Sequence, residues 1–398
     1  MLAINGGSSS IKFAVYAMGD AAPLRLRGKV ERIGLRDTTL TIVDAEHNQH
    51  DSRVIGDFDH PAAANFLIDW LDQKIGLASL AAVGHRIVNG GANYNAPQRI
   101  TPTLLDTLRA TIAYAPQHLP SALAVIDLFH ERAPSLPQIA CFDTAFHRTM
   151  PRVAKILPIP RRLQTQGVER YGFHGLSYAF LMQELARVAG AEAAQGRVIL
   201  AHLGNGASLA AVRGGTSIDT SMGFTPASGV MMGARCGDLD PGLVGYLAHT
   251  EQMSADEFDH MVNHQSGLLG VSETSSDLRD LLACETDDVR AAEAVALFCY
   301  QIKKCIGAYA AALGGLDTLV FAGGIGEHAA VIRTRICDGL RFLGIEIDET
   351  RNATNASVIS ANTGHVTVRV MHTDEEAMIA KSVCYVLDHS PDKDGPRS

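Results

Sequence analysis

Two turns rich in glycine and small polar residues have the composition of phosphate-binding loops. The first, at 5–10, reads NGGSSS and is followed by Lys12, and the second, at 204–208, reads GNGAS. Glycine lets a backbone approach phosphate oxygens closely, while serine and asparagine supply hydrogen bonds. Glycine and serine are also ordinary hairpin residues, so one such turn would mean little. The pair, with a third glycine-rich run at 323–326, favours a nucleotide clamped between two domains.

Histidine and arginine recur beside glycine or proline in an otherwise acidic chain. A lone histidine is more often structural, but several such loops together indicate a pocket for anions. Arg86 and Arg235 are the stronger charge carriers, because a guanidinium stays charged and binds carboxylate or phosphate through two parallel hydrogen bonds. The full set is His85, Arg86, His118, Arg170, His174, His202 and Arg235.

Carboxylates occur at two positions where they could do chemistry. Asp143 ends the apolar run IACFD, where an α/β enzyme places catalytic carboxylates, and a helix N-cap is the alternative. Glu375 and Glu376 open the last predicted helix, where they would either complement the helix dipole or hold Mg²⁺. His260 and His264 have the spacing of zinc ligands, but no third ligand accompanies them, so we interpret them as a polar helix end.

Several familiar catalytic motifs are missing from the sequence. It contains neither G-x-x-x-x-G-K-[ST] nor G-x-S-x-G. The segment 324–329 (GIGEHA) follows a predicted strand and imitates a dinucleotide fingerprint with Asp348, but too little chain follows it for a dinucleotide-binding domain. A glycine turn at this place would still expose backbone N–H groups to an anion or a nucleotide.

Composition limits the class of protein. The 398 residues are 46% hydrophobic and 19% charged, with a net charge of −9 and no basic run, which predicts two or three globular domains without a nucleic-acid or membrane surface. The sequence shows no signal peptide and no apolar stretch of the ~20 residues that a membrane span needs. Seven cysteines without a C-x-x-C pair predict buried free thiols. We therefore expect a cytoplasmic protein.

The hydrophobic pattern predicts alternating strands and helices, and therefore α/β layers. The hairpin formed by LAIN, GGSSS and IKFAVYA has the same layout as the segment 197–213, which indicates duplicated halves packed around a shared cleft. The other predicted strands in the first half lie near 25–33, 38–43, 81–87 and 137–142, and the predicted helices near 60–74, 102–114 and 118–131.

The second half is predicted to be more helical. A long helix should run from about 286 to 313, capped by Thr286 and ended by Gly314. The following elements should be the strand TLVFAGG, a helix at 327–340, a strand pair at 343–348 and 366–371, and a last helix at about 374–387. The tail SPDKDGPRS is expected to be disordered.

Ten blocks of the chain resemble, in order, the motifs of the acetate kinase family, which belongs with the actin, hexokinase and Hsp70 ATPases. The resemblance implies two duplicated actin-like (ribonuclease H-like) α/β domains with an interdomain active-site cleft. It places 1–145 plus about 376–398 in an N-terminal domain closed by the C-terminal helix, and 146–375 in a nucleotide-binding domain. The blocks are LAINGGSSSIKF, GHRIVNGG, FDTAFH, RYGFHGLS, HLGNGAS, DTSMGFTP, MMGARCGDLDPG, SGLLGVS, FAGGIGE and TDEEAMIA.

The resemblance also implies roles for individual residues. Asn5 and Glu375 would lie at the Mg²⁺ and Lys12 near the ATP phosphates. Asp143 would be the catalytic carboxylate, with His174 and Arg235 stabilising the transition state. The acyl substrate would contact Arg86, Val88, His118, Phe173 and Pro226, and the nucleotide would contact His202, Leu203, Gly204, Asn205, Gly206, Asp277, Leu278, Arg279, Gly324, Ile325, Gly326, Glu327 and His328.

The sequence departs from the family motifs at four places. The usual PLHNP reads PQHLP at 116–120, so Gln117 stands where leucine is usual, and HGTSH reads HGLSY at 174–178. TRSGD reads ARCGD at 234–238, and GIGEN ends in His328. The charged residues are retained, so the changes bear on acyl selectivity and ATP contacts rather than on phosphoryl transfer.

The function implied is reversible, Mg²⁺-dependent phosphoryl transfer from ATP to acetate, giving acetyl phosphate and ADP, with Mn²⁺ able to replace Mg²⁺. The family also implies a homodimer. A propionate or butyrate kinase is the alternative within the class, and an actin-like or Hsp70-like ATPase and a sugar kinase are the alternatives outside it.

Overall fold

The computed structural model describes residues 1–7, 9–19, 22–45, 47, 49–112, 115 and 118–389. It divides into two compact units, of which unit 1 is Met1–Ala145 with the C-terminal segment from Asp374, and unit 2 is Phe146–Thr373. The predicted tail at 390–398 lies outside the described residues.

Unit 1 is built on one sheet of eight strands with helices packed against it. Its helices are α1 (His60–Ile75), α2 (Pro102–Ala110), α3 (Leu119–Arg132) and α16 (Glu375–Asp388). Its strands are β1 (Leu2–Gly6), β2 (Ser10–Tyr16), β3 (Leu24–Glu31), β4 (Thr38–Asp44), β5 (Gln49–Gly56), β6 (Val83–Ile87), β7 (Gln98–Arg99) and β8 (Gln138–Phe142).

The strand order of unit 1 is β5-β4-β3-β2-β1-β6-β8-β7. The strands from β5 to β1 are antiparallel neighbours, whereas β1, β6 and β8 are parallel. Helix α16 packs on β1, β6 and β8. A Cβ atom at Gly84 would come within 2.5 Å of Ile379 Cγ2, so glycine is what allows α16 to lie this close to β6.

Within the described residues, unit 2 contains a sheet of five strands and twelve α-helices. The strands are β9 (Arg197–Leu203), β10 (Ala207–Arg213), β11 (Thr216–Thr220), β12 (Thr318–Ala322) and β13 (Thr367–Val370). The helices are α4 (Arg152–Lys155), α5 (Arg161–Gln164), α6 (Gly175–Ala189), α7 (Ala191–Gln195), α8 (Gly242–Thr250), α9 (Ala255–His264), α10 (Gly267–Ser272), α11 (Leu278–Cys284), α12 (Val289–Leu313), α13 (Gly323–His328), α14 (Ala330–Cys337) and α15 (Glu349–Ala353).

The two sheets share one topology. The order β11-β10-β9-β12-β13 in unit 2 matches β3-β2-β1-β6-β8 in unit 1. In both, three antiparallel strands are followed by two that run parallel to the central one. The predictions of α/β layers and of duplicated halves are therefore confirmed.

Hydrophobic periodicity and capping residues predicted most helices and strands correctly. The errors have physical reasons. The long helix α12 begins at Val289, because the side chain of Asp288, rather than the predicted Thr286, accepts hydrogen bonds from the first turn. Gly314 ends it in a left-handed conformation, as predicted. The predicted strand at 343–348 is wrong, since residue 343 ends a 3₁₀ helix and the rest of the segment forms only an isolated bridge between Ile347 and Ser360.

Two predictions from composition concern thiols and membranes. All seven cysteines are free, and Cys141, Cys299 and Cys337 are buried, whereas the other four are partly exposed. Among the helices that the structure describes, none combines the length and apolarity needed to cross a membrane.

Candidate active site

Three polar side chains of unit 1 lie where its parallel strands end. Asn5 is near the end of β1 and Arg86 near the end of β6, while Asp143 directly follows β8. The carboxyl ends of neighbouring parallel strands meet at one edge of a sheet, which is where α/β proteins bind ligands. Strand order thus brings together three residues that are far apart in sequence.

The guanidinium of Arg86 holds Asp143 in a two-pronged ion pair. Arg86 Nη2 donates to Asp143 Oδ2 at 2.6 Å and Nε to Oδ1 at 3.1 Å, and the carboxylate is fully buried. Burial alone would lower the pKa of Arg86, but the carboxylates of Asp143 and Glu375 outweigh it and raise the pKa above its usual value. Arg86 is therefore a permanent cation.

Asn5 connects this pair to the start of α16. Its Oδ1 accepts from Arg86 Nη1 at 3.1 Å, and its Nδ2 donates to Glu375 at 2.8 Å and to Glu376 at 2.7 Å. Burial and the nearby charge of Glu375 raise the pKa of Glu376, although Lys12 acts against this shift. Lys12 lies opposite Asn5 in the pairing of β1 with β2.

The helix cap of Asp374 shows how α16 presents these glutamates. Asp374 is the N-cap, as the predicted start of the last helix implied, and its side chain accepts from the backbone N–H of Ala377. Both Glu375 and Glu376 are consequently in the first turn. There they complement the helix dipole, and both accept a hydrogen bond from Asn5.

In unit 2, His174 is held in a constrained position. Its backbone is left-handed, with φ of 58°, directly before α6. Its Nδ1 lies 2.8 Å from Ser208 Oγ, and its ring stacks on that of His202 with centroids 4.3 Å apart. A Cβ at Gly206 would lie 3.4 Å from His174 Nε2 and 2.6 Å from Arg235 Nη2, so both nitrogens approach the same glycine.

Arg235 is positioned by the backbone around it. Its Nη1 donates to the carbonyl of Pro226 at 2.7 Å, and its own carbonyl accepts from Met232 N–H. Gly267 passes so close to this loop that a Cβ would lie 2.7 Å from the Arg235 carbonyl oxygen. The guanidinium therefore reaches Gly206 from a closely packed, hydrogen-bonded loop.

A cavity of about 720 Å³ in unit 2 collects most of the predicted nucleotide contacts. This volume is within the range of small-molecule sites. Gly324 borders open space, since a Cβ there would meet nothing within 4 Å. The lining residues are Gly204, Asn205, Ser276, Asp277, Leu278, Arg279, Gly324, Ile325 and His328.

Five predicted nucleotide residues of unit 2 do not line this cavity: His202, Leu203, Gly206, Gly326 and Glu327. Glu327 instead makes hydrogen-bonding contacts with the start of α13 and with His372. It accepts from Gly323 N–H at 3.0 Å and lies 2.9 Å from His372 Nδ1. Burial would raise the pKa of Glu327, but the hydrogen bond with His372 and the charge of His372 lower this pKa overall.

The predicted acyl contacts are divided between the units. Val88 follows β6 and His118 precedes α3 in unit 1, while Phe173 and Pro226 belong to unit 2. Val88 and Phe173 are buried. Phe173 directly precedes His174, and its carbonyl lies 3.0 Å from His147 Nε2. Gln117 lies outside the described residues.

Sequence reasoning missed several residues that contact this site. Ser276 follows a serine in the run SETSSD and had no distinguishing signal. Ser208 closes the predicted glycine turn, and Tyr178 is one of the departures from the family motif, yet their contacts with each other and with His174 arise only from packing of α6 on the sheet. Glu376 was noted but was not assigned to the metal.

The family model, two curated relatives and one solved structure all indicate the same family. The model described as the acetokinase family matches residues 1–381. An acetate kinase of Rhodopseudomonas palustris (strain ATCC BAA-98 / CGA009) is 45% identical over 393 residues, or 98% of each chain. A propionate kinase of Citrobacter rodentium is 42% identical over 96% of each chain. The crystal structure of Porphyromonas gingivalis acetate kinase superposes with a TM-score of 0.85 at 36% identity, covering 97% of this chain and 99% of that one.

The Arg86–Asp143 pair predicts a specific stability effect. We expect Arg86→Ala to lower the free energy of unfolding by about 3–5 kcal/mol, because it leaves a buried carboxylate without its cation. The pKa of Asp143 should then rise, so the stability of the variant should decrease as pH rises through that raised pKa. Urea denaturation between pH 5 and about 8 measures both effects.

The matched control is Arg86→Ala combined with Asp143→Asn, which removes the unpaired charge. It should recover part of the lost stability and abolish the added pH dependence. Equal stability of Arg86→Ala and wild type at every pH would contradict the prediction.

Proposed function

The chain belongs to the acetokinase family, and we propose that it transfers the γ-phosphoryl group of ATP to acetate, reversibly and with Mg²⁺, giving acetyl phosphate and ADP. The observation that carries the proposal is the approach of His174 Nε2 and Arg235 Nη2 to Gly206. Gly206 belongs to the same turn as Gly204 and Asn205, which line the nucleotide-sized cavity. Donors for a phosphoryl group are thus adjacent to a site for the nucleotide.

The chemistry needs charge neutralisation more than proton transfer. A carboxylate with a pKa of about 4 to 5 is already ionised at pH 7, so it needs no strong general base. Phosphoryl transfer passes through a loose, metaphosphate-like transition state, in which positioning and electrostatic stabilisation dominate. The difficulty is repulsion between two anions, which guanidinium groups relieve.

We assign the acceptor carboxylate to Arg86. Its Nε and one N–H of Nη2 are used by Asp143, and one N–H of Nη1 by Asn5. A guanidinium has five N–H groups, so each terminal nitrogen keeps one for a ligand. Asp143, the proposed catalytic carboxylate, orients Arg86 in this arrangement.

The donor set near Asn5 fits Mg²⁺. Two glutamates meet at one amide, and burial together with the charge of Glu375 raises the pKa of Glu376. Mg²⁺ binds through one or two carboxylates, water and substrate phosphates rather than through a closed protein cage. Among the described residues, no cluster of three or more His, Cys, Asp or Glu side chains suited to a metal is present.

Bound Mg²⁺, or Mn²⁺ in its place, would neutralise charge on the phosphates. We propose Glu375 as the carboxylate that holds it, with Asn5 beside it and Lys12 near the phosphates. Nucleotide binding is assigned to the cavity of unit 2.

A propionate kinase is the second candidate, because relatives with that name are 42% identical to the chain over nearly its whole length. The two activities differ by one methylene in the acceptor. In an apolar pocket one methylene changes binding by only about 1–3 kcal/mol, so both acids should react to different extents.

Trapping of acyl phosphate with hydroxylamine tests the function directly. With ATP and Mg²⁺ we expect product with acetate, less with propionate and least with butyrate. Arg235→Ala should lower turnover by a factor on the order of 10³ while ATP binding changes little, because the lost contact acts on the transferring group. ATP hydrolysis without any acyl phosphate would instead support an ATPase, and retention of a tenth of wild-type turnover by Arg235→Ala would refute its assigned role.

Val88 provides a test of acyl selectivity. Val88→Ala should raise the activity on propionate and butyrate relative to acetate, because a smaller side chain leaves room for additional methylenes in a close-packed site. The ratios of kcat/KM for the three acids measure this effect. Gln117→Leu, which restores the usual family residue, is the control and should change acetate use little. An unchanged chain-length preference in Val88→Ala would show that residue 88 does not bound the acyl pocket.

Glu375 separates a metal role from a helix-capping role. If Glu375 holds the ion, Glu375→Ala should require a higher Mg²⁺ concentration for half-maximal rate, since it removes a carboxylate from a hard-cation site. A capping residue would instead lose about 0.5–1 kcal/mol of stability with an unchanged Mg²⁺ response. A Mg²⁺ titration combined with urea denaturation distinguishes the two, and an unchanged titration would exclude the metal role.

We also propose a cytoplasmic homodimer that uses α8. None of the residues of this helix is buried, and Leu243, Val244 and Tyr246 are exposed although they are large and apolar. Apolar side chains grouped in this way mark contact surfaces. A second copy of the chain is the occupant that the family resemblance implies.

The dimer proposal predicts that Tyr246→Glu shifts the protein to a monomer, because it would bury a charge in the contact. Light scattering after size-exclusion chromatography measures the mass. Val54→Glu, at an equally exposed apolar residue of unit 1, is the control and should leave the mass unchanged. A wild-type monomer would contradict the proposal.

A further inference from the structure

Two buried hydroxyl groups stand behind His174 in a continuous chain. Ser208 Oγ lies 2.8 Å from His174 Nδ1, and Tyr178 OH lies 2.5 Å from the same Oγ. Tyr178 and Ser208 are both fully buried. Tyr178 is four residues after His174, so it follows on the same side of α6.

The order of donors along this chain follows from acidity. A phenol, with a pKa of about 10, is a stronger acid than an aliphatic alcohol and is therefore the better donor. In this order Tyr178 would donate to Ser208, and the serine proton would then be directed to His174 Nδ1. An imidazole that accepts at Nδ1 carries its proton on Nε2.

The cation of Arg235 favours the uncharged form of the His174 ring. Arg235 Nη2 approaches Gly206 beside His174 Nε2, and a neighbouring cation disfavours a charged imidazole. The ring of His202 stacks on His174, and its own Nδ1 lies 2.8 Å from Ser177 Oγ.

We propose that Tyr178 and Ser208 are positioning residues, which keep His174 neutral and direct its Nε2–H toward the transferring phosphoryl group. The inference rests on the proposed phosphoryl transfer for its consequence, but the state of the imidazole can be measured separately. A neutral ring with a fixed donor stabilises phosphoryl oxygens without adding a proton to either substrate. It also gives Tyr178 a purpose at a position where the family motif has histidine.

The test is ¹⁵N NMR of the histidine rings in the full-length protein, with His174 assigned by comparison with His174→Asn. Wild type should show Nε2 protonated and Nδ1 unprotonated at neutral pH. Ser208→Ala should mix the two tautomers and lower kcat by about tenfold or more, with the KM values for ATP and acetate little changed, as expected for a loss felt in the transition state. Tyr178→Phe keeps the ring and should shift both measurements in the same direction by less.

Ser217→Ala is the matched control, because it removes a buried hydroxyl that lies 2.9 Å from Nδ1 of a different histidine, His147. It should leave the His174 signals and kcat unchanged. A wild-type His174 protonated at Nδ1, or a kcat for Ser208→Ala equal to that of Ser217→Ala, would overturn the proposal. A wild-type protein that makes no acyl phosphate would refute the proposed function, whereas the tautomer would still be read from the spectra.

Discussion

The buried ion pair of Arg86 with Asp143 is the interaction on which the polar edge of unit 1 depends. Removing two ions from water costs several kcal/mol each, and their attraction compensates only when the geometry is good and other hydrogen bonds are satisfied. Arg86 meets this condition through its bonds to Asp143 and Asn5. Asn5 in turn reaches the glutamates of α16, so one cation organises carboxylates from two distant parts of the chain.

The two units share one strand order but carry different residues at the ends of the equivalent strands. Equivalent strands end at equivalent places, so β1, β6 and β8 in unit 1 correspond to β9, β12 and β13 in unit 2. In unit 1 these ends carry Asn5, Arg86 and Asp143, which are charged or strongly polar. In unit 2 the corresponding β9–β10 turn and the segment after β12 are rich in glycine and line a cavity. The same scaffold thus carries charged and polar side chains at the strand ends of one unit and a glycine-rich cavity lining in the other.

Sequence patterns predicted elements whose causes are local. The two hairpins, the cap at Asp374 and the end of α12 at Gly314 each depend on residues near in sequence, and they were placed correctly. The strand expected at 343–348 failed because apolar alternation does not show whether a segment finds a partner strand.

The candidate site was predicted unevenly for a related reason. Four candidate residues could be recognised from their types alone, and the family resemblance assigned roles to them: Arg86, Asp143, His174 and Arg235. The contacts of Ser208, Tyr178 and Ser276 had no comparable signal, because serine and tyrosine are common and their partners come from other elements. Which of several possible hydrogen bonds a hydroxyl makes is decided by packing, and packing is a property of the folded chain.

The balance of charge at the site follows from the choice of side chains. Guanidinium groups do not lose their protons near neutral pH, so Arg86 and Arg235 supply positive charge that pH does not alter. Burial works in the opposite direction on histidine and lowers the pKa of His147 to about 4, so that ring is neutral at pH 7. An acceptor carboxylate and the phosphates of ATP are ionised over the same range. A site that brings anions together is therefore best built from arginine for charge and from neutral histidine for direction, which is the division that we propose between Arg235 and His174.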